Sequence, residues 1–284
     1  MNFSVSHPEV QEAVKRALAE DIGTGDLTTN LCVPADAVGT GRMIARQDLV
    51  LAGVELLPLI FDPVSDTAGL PRCVVEMKCS SGARLKSGDE IATVRGPARV
   101  LLTSERTALN FVQRLSGVAT LADRYVKAIE GTRSKILDTR KTTPGLRQLE
   151  KMAVAAGGAT NHRVGLFDAI LIKNNHITAA GGVRAALDRT RDAKVLVEIE
   201  VRTKVELDEA LAAGAKHLLL DNLTPAEAKE WIVYIAGRAT VELSGGITLD
   251  TVRAYADSGA DYISAGAITH SATAVDVNFR LRLD

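Results

Sequence analysis

The chain has 284 residues, of which 46% are hydrophobic and 24% charged, enough for a substantial core and incompatible with a disordered chain or a peptide-sized scaffold. Thirty-four Lys and Arg against 35 Asp and Glu leave a net charge of -1, which excludes a generic nucleic-acid or anionic-membrane binder. Cys32, Cys73 and Cys79 form an odd set without metal-ligand spacing, and neither a secretory leader nor an apolar stretch of about 18 residues occurs, so a cytoplasmic setting without membrane partners is expected.

Taken in chain order, Val10, Ala13, Val14, Ala17 and Leu18 predict a helix over residues 7–20, with Pro8 in its first turn. Residues 20–29, with Gly23 and Gly25, read as a structured loop. Short alternating runs separated by Gly-containing turns predict an antiparallel sheet segment over 38–100. A long helix is predicted over 104–128, with Ser104 as its N-cap, linking two domains.

Beyond it a unit repeats: a short apolar run with a polar last residue, then a helical segment. The strand ends fall at Arg140, Lys173, Glu200, Asp221, Ser244 and Ser264, successive steps of 33, 27, 21, 23 and 20 residues by subtraction, each the length of a βα unit. Polar residues at every strand end favour a parallel α/β barrel over an open sheet with one switch point. Neither GxGxxG nor GxxxxGK[ST] is present, so the common dinucleotide and P-loop readings lack their motif.

A barrel gathers its C-terminal strand ends at one mouth. Five potential cations converge there: Arg140 and Lys141, His162 and Arg163, and Lys173. A lone strand-end cation is commonly a solvated residue, but five together need an anion, and Arg forks suit carboxylates and phosphates. Glu200 and Asp221 follow, suited to a divalent metal, ribose hydroxyls or a developing positive charge. Glu198 shares the face of Glu200 at period two and needs a partner if it lies deeper. Ser244-Gly245-Gly246 and Ser264-Ala265-Gly266-Ala267 end the last two strands, where barrels bind phosphate. His176 and His217 read as structural, His270 as a lesser site candidate. The arrangement describes an enzyme acting on a multi-carboxylate and a phosphorylated compound; a Schiff-base role for Lys141 or Lys173 in an aldolase-like barrel is the rival enzymatic reading.

The sequence strongly resembles the quinolinate phosphoribosyltransferases over nearly its whole length. The resemblance rests on Glu20-Asp21-Ile22-Gly23-Thr24-Gly25-Asp26-Leu27-Thr28-Thr29, Glu105-Arg106-Thr107-Ala108-Leu109-Asn110, Thr139-Arg140-Lys141-Thr142-Thr143-Pro144-Gly145, Asn161-His162-Arg163, Ile172-Lys173-Asn174-Asn175-His176 and Ser244-Gly245-Gly246. It implies an α/β fold: an N-terminal α/β sandwich over 1–115, an incomplete, seven-stranded TIM-like barrel over 116–274, and a C-terminal segment over 275–284. The implied reaction joins quinolinate and phosphoribosyl pyrophosphate with Mg2+, giving nicotinate mononucleotide, pyrophosphate and carbon dioxide in de novo NAD synthesis.

Carried onto this chain, the resemblance implies a quinolinate pocket of Arg140, His162, Arg163 and Lys173, with Thr139 beside it. Arg106 would reach the partner's site in a homodimer, or in a larger assembly of such dimers. Lys141, Glu200 and Asp221 fall on the donor side, the two acids holding metal directly or through water. Ser244, Gly245, Gly246, Ala265, Gly266 and Ala267 fall on the phosphate loops. Asn174 stands where the family usually has an acid, and Ala159 ends a run that is often three glycines. The alternatives are a molybdenum-associated, ModD-like pyrophosphorylase paralogue acting on another anion and a non-catalytic metabolite-binding barrel.

Overall fold

The computed structural model describes residues 4–284. In chain order the helices and strands are α1 (Pro8–Ile22), α2 (Leu27–Cys32), β1 (Val38–Ala45), β2 (Leu49–Val50), α3 (Leu57–Ala68), β3 (Val74–Met77), β4 (Arg84–Leu85), β5 (Glu90–Pro97) and α4 (Ala98–Ala128). There follow β6 (Lys135–Leu137), α5 (Arg147–Ala156), β7 (Ile170–Ile172), α6 (Asn174–Ala180), α7 (Val183–Arg189), β8 (Val197–Val201), α8 (Lys204–Ala212) and β9 (His217–Asp221). The last are α9 (Pro225–Ile235), β10 (Thr240–Ser244), α10 (Val252–Ala256), β11 (Tyr262–Ser264), α11 (Ala267–His270) and β12 (Val277–Leu283). No described helix is long and apolar enough to cross a membrane.

Two compact units result. The first comprises the described residues up to Asp123 together with Thr142–Gly158 and Thr269–Asp284. Its main sheet runs β12-β1-β5-β3, antiparallel throughout. Gly39, Gly41, Met43 and Ala45 are buried while Val38 and Arg42 are exposed, the period-two signature of a sheet with one covered face. Phe279 of β12 lies so close over Gly41 that a Cβ there would sit 1.9 Å from its Cζ, and its ring stacks with Phe61 of α3 at 6.4 Å between centroids. Glycine at 41 thereby admits the C-terminal strand.

Several expectations are corrected in this unit. α1 runs on to Ile22, and Asp26 caps α2 by accepting Thr29 N–H at 2.9 Å, so the expected loop over 20–29 is largely helical. The expected sheet over 38–100 is interrupted by α3, in which Pro58 sits in the tolerant first turn and Pro63 lies inside the helix. α4 begins at Ala98, and Ser104 is a buried interior residue whose Oγ has no hydrogen bond, not an N-cap.

The second unit comprises Arg124–Lys141 and Ala159–Ile268. Its six-stranded parallel sheet has the order β6-β11-β10-β9-β8-β7. The first strand thus pairs with the last, curling the sheet toward a barrel that stays open between β6 and β7. At that opening Thr160 forms an isolated parallel bridge with Leu137, so the expected seventh strand is reduced to a single residue. Ile136, Ile199, Val201, Leu218, Leu220, Val241, Leu243 and Ile263 are buried along the strands, while the polar residues occupy the alternate positions.

Candidate active site

The site is built at the C-terminal ends of the strands of the second unit. Beyond β6, Asp138 is fully buried; it accepts His162 N–H at 2.7 Å and Asn161 Nδ2 at 2.8 Å. A buried carboxylate thus ties the segment after Thr160 to the end of β6 and brings His162 and Arg163 to the rim beside Arg140. Arg163 also donates to Ala169 O at 3.2 Å, and Lys141 N–H meets Thr139 Oγ1 at 3.1 Å. Burial and the adjacent Arg140 charge hold the Arg163 guanidinium below its ordinary pKa, with Asp168 and Glu198 partly offsetting them. Two neighbouring guanidiniums in a half-buried setting have the chemistry to take up an anion.

Beneath them lies a carboxylate pair. His162 Nε2 is 3.3 Å from an oxygen of Glu198 and 3.3 Å from one of Glu242, and Ser264 Oγ donates to Glu242. Both acids are buried, and Glu198 finds in His162 the partner its inward position requires. Burial opposes charge on the ring, yet hydrogen bonds and attraction from Glu198 and Glu242 outweigh it and raise the imidazole pKa to about 10. Burial, reinforced by repulsion from Glu242, raises that of Glu198, against the pull of His162 and Arg163. Arg163 N–H donates to His162 Nδ1 at 2.6 Å, a bond open only to the singly protonated ring, so charging the ring gives it up. Among the described residues this is the trio whose ligand-type atoms all lie within 4.8 Å, and its internal hydrogen bonding accounts for it.

Across the rim, Lys173 Nζ at the end of β7 lies 3.2 Å from Glu200 Oε2 on β8. Lys173 is half exposed and Glu200 nearly buried, so the lysine offers its charge outward while compensating the acid. His176 Nδ1 accepts Lys173 N–H at 2.9 Å and closes the first turn of α6, the structural role expected of it. Asn174 Oδ1 accepts Asn175 N–H at the same turn. Asp221 ends β9 opposite Ser244 of β10, and Gly245 and Gly246 follow with φ of 103° and 59°. Ala265 N–H is bound to Leu137 O, which fixes the start of the last loop, with Gly266 and Ala267 beyond it.

The second unit therefore brings together Thr139, Arg140, Lys141, His162, Arg163, Lys173, Glu200, Asp221 and the two Gly-containing loops. Arg106 belongs to the first unit, exposed on α4, and is not a strand-end residue. Reading the sequence missed Asp138 and Glu242 as site-building residues, and the bond by which Ser264 holds Glu242. Their signal was present as polar side chains at inward strand positions, but the partners that satisfy them lie 22 or more residues away.

Arg140 and Arg163 form a cationic half suited to a dicarboxylate, with Lys141 and Lys173 adding charge. Glu200 and Asp221 form a smaller anionic half next to backbone loops. The chain matches the quinolinate phosphoribosyl transferase N-terminal domain over residues 26–116 and the C-terminal domain over residues 118–280. It is 43% identical over 277 residues to the nicotinate-nucleotide pyrophosphorylase [carboxylating] of Mycobacterium leprae, covering 95% of this chain and 96% of the other. The probable enzyme of that name from Bacillus subtilis is 38% identical over 282 residues, 98% and 96% of the two chains. The crystal structure of NadC from Streptococcus pyogenes superposes with a TM-score of 0.93 at 36% identity, covering 100% of this chain and 99% of that one. By both its domains and its full length, the chain belongs to the quinolinate phosphoribosyltransferase family.

Proposed function

We infer that the chain transfers the phosphoribosyl group of phosphoribosyl pyrophosphate to quinolinate with decarboxylation, yielding nicotinate mononucleotide, pyrophosphate and carbon dioxide for NAD biosynthesis. The observation that carries this reading is the apposition of Arg140 and Arg163 at one rim, where burial and the Arg140 charge hold the Arg163 guanidinium below its ordinary pKa and a bound dianion would favour its charged form. His162 and Lys173 complete that pocket, with Thr139 beside it. The ring nitrogen of quinolinate attacks C1 of the ribose, the bond to pyrophosphate breaks, and positive charge develops at C1. Glu200 and Asp221 favour that charge; Lys141 neutralises the leaving pyrophosphate. Carbon dioxide then departs from ring C2, the bonding pair stays on C2 stabilised by the adjacent quaternised nitrogen, and that pair takes up a proton.

The donor set also fits Mg2+. Glu200 Oε2 faces Lys173 and Asp221 Oδ2 faces Asn222, so each acid keeps one oxygen for a hard cation that prefers few carboxylates, water and phosphate oxygens. Glu200 and Asp221 would hold it, directly or through water, and it would neutralise charge on the pyrophosphate. The loops Ser244, Gly245, Gly246 and Ala265, Gly266, Ala267 contact the phosphates. Arg106, exposed on another unit of the chain, serves a neighbouring subunit's pocket in a cytoplasmic homodimer.

One assay tests the reaction. Full-length protein with quinolinate, phosphoribosyl pyrophosphate and Mg2+ forms nicotinate mononucleotide and pyrophosphate in equal amounts, chelation of the metal stops it, and nicotinate does not replace quinolinate. Turnover of nicotinate at a comparable rate would overturn the dicarboxylate reading.

A further inference from the structure

Asn222, directly after Asp221, is one of two described non-glycine residues with positive φ, at 59°. Asparagine tolerates this left-handed conformation better than most residues, but the conformation still needs holding in place. Three neighbours hold it. Asn222 N–H donates to Ser244 O at 2.9 Å, Tyr255 Oη donates to Leu223 O at 2.9 Å, and Thr224 starts α9 through a capping box with Glu227. The turn directs the asparagine amide back along the chain, and Nδ2 donates to Asp221 Oδ2 at 2.6 Å. The other side of the same side chain is packed against Gly245: a Cβ there would fall 2.3 Å from Asn222 Oδ1 and 2.7 Å from Asn222 N. Asn222 is exposed, so core packing does not demand this geometry.

We propose that Asn222 is a positioning residue for the phosphoribosyl donor, fixing the Asp221 carboxylate through one oxygen while setting the distance between the β9 end and the Ser244–Gly246 loop. An amide on Oδ2 leaves Asp221 to meet its ligand through Oδ1 alone. The amide adds no charge, so the acid keeps its full negative charge, which a lysine or arginine in this place would cancel. The Gly245 contact carries the same residue into the adjoining loop, so the acid and the glycine loop are held as one piece. This rests on the assignment of Asp221 to the donor side.

The test uses the full chain as Asn222→Gly, Asp221→Ala and the double variant, with KM for both substrates and calorimetric titration of each ligand. Glycine keeps the left-handed turn and removes only the amide, so folding is preserved. The expected result is a rise of about tenfold in donor KM and dissociation constant for Asn222→Gly, the loss of one hydrogen bond to a charged group. Quinolinate binding to the free enzyme stays unchanged, and no further loss appears when the glycine is placed on Asp221→Ala. Asn222→Asp, which sets a second carboxylate against Asp221, weakens donor binding further. If Asp221→Ala impairs donor use while Asn222→Gly matches the parent, or if the two losses add fully, the positioning role is wrong. If Asp221→Ala leaves donor binding intact, the donor-side assignment fails and takes this inference with it.

Discussion

Lys173 Nζ reaches Glu200 Oε2 across 3.2 Å, joining the ends of two adjacent parallel strands. The lysine is half exposed and the acid is not, so the pair is neither a solvated surface bridge nor a fully buried one. Lys173→Met is expected to cost about 1–2 kcal/mol of folding stability, between those two regimes. Quinolinate affinity should fall as well. Chemical denaturation and calorimetric titration measure the two effects; unchanged stability together with unchanged affinity would remove Lys173 from the site.

Arg163→Ala deletes a fork-shaped contact from the cationic rim and relieves Arg140 of its like-charged neighbour. Quinolinate binding is expected to weaken by about 2–5 kcal/mol with donor binding little changed. Asp221→Ala should do the reverse. Titration of each variant with each ligand, with and without Mg2+, reads the division; lost donor binding with intact quinolinate affinity in Arg163→Ala would contradict it.

The His162 ring should titrate well above an ordinary histidine, near pH 10 against 6.5. A folded-state pKa above the unfolded one stabilises fully below about pH 6.5, and the gain is lost as pH rises through about 10. NMR of the ring nitrogens follows the charge directly, and Glu242→Gln is expected to move the midpoint downward by removing one of the two carboxylates. A parent midpoint below 7 would show that burial and the Arg163 N–H bond prevail.

In the first unit, Arg114 donates to Glu150 Oε1 at 2.7 Å, and also to the carbonyls of Thr269 and Ala272. Glu150 is fully buried, with Thr143 as a further donor. Arg114→Ala therefore leaves a buried carboxylate without its cation and should cost about 3–5 kcal/mol, read by urea unfolding. A loss under 1 kcal/mol would mean that the Thr143 donors suffice.

Burial pushes the Cys73 thiol up to about 11, whereas Cys32 is exposed. Brief alkylation at neutral pH followed by peptide mass spectrometry is expected to label Cys32 and spare Cys73 until the protein unfolds. Equal labelling of the two in the native state would contradict the burial.

The barrel rim was legible in the sequence because each βα unit returns to the same edge after 20 to 33 residues and places a polar residue there. Glu198 was readable as an inward acid in need of a partner, but not which partner. His162 comes from a segment with no strand periodicity, held in place by Asp138 24 residues earlier. Asn222 was equally silent, since its backbone conformation depends on Ser244 and Tyr255, which only the fold brings near. α3 was hidden between the alternating runs that flank it, and β12 by its pairing with a strand near the other end of the sequence.

Because β12 pairs with β1 from Gly39 to Ala45, the sheet of the first unit lacks an edge strand until residues 277–283 are made. A chain leaving the ribosome presents all six parallel strands of the second unit before Phe279 can settle over Gly41. The strands of the first unit must therefore wait through synthesis of the second with the outer edge of β1 unpaired, and a truncation ahead of Val277 damages the beginning of the molecule.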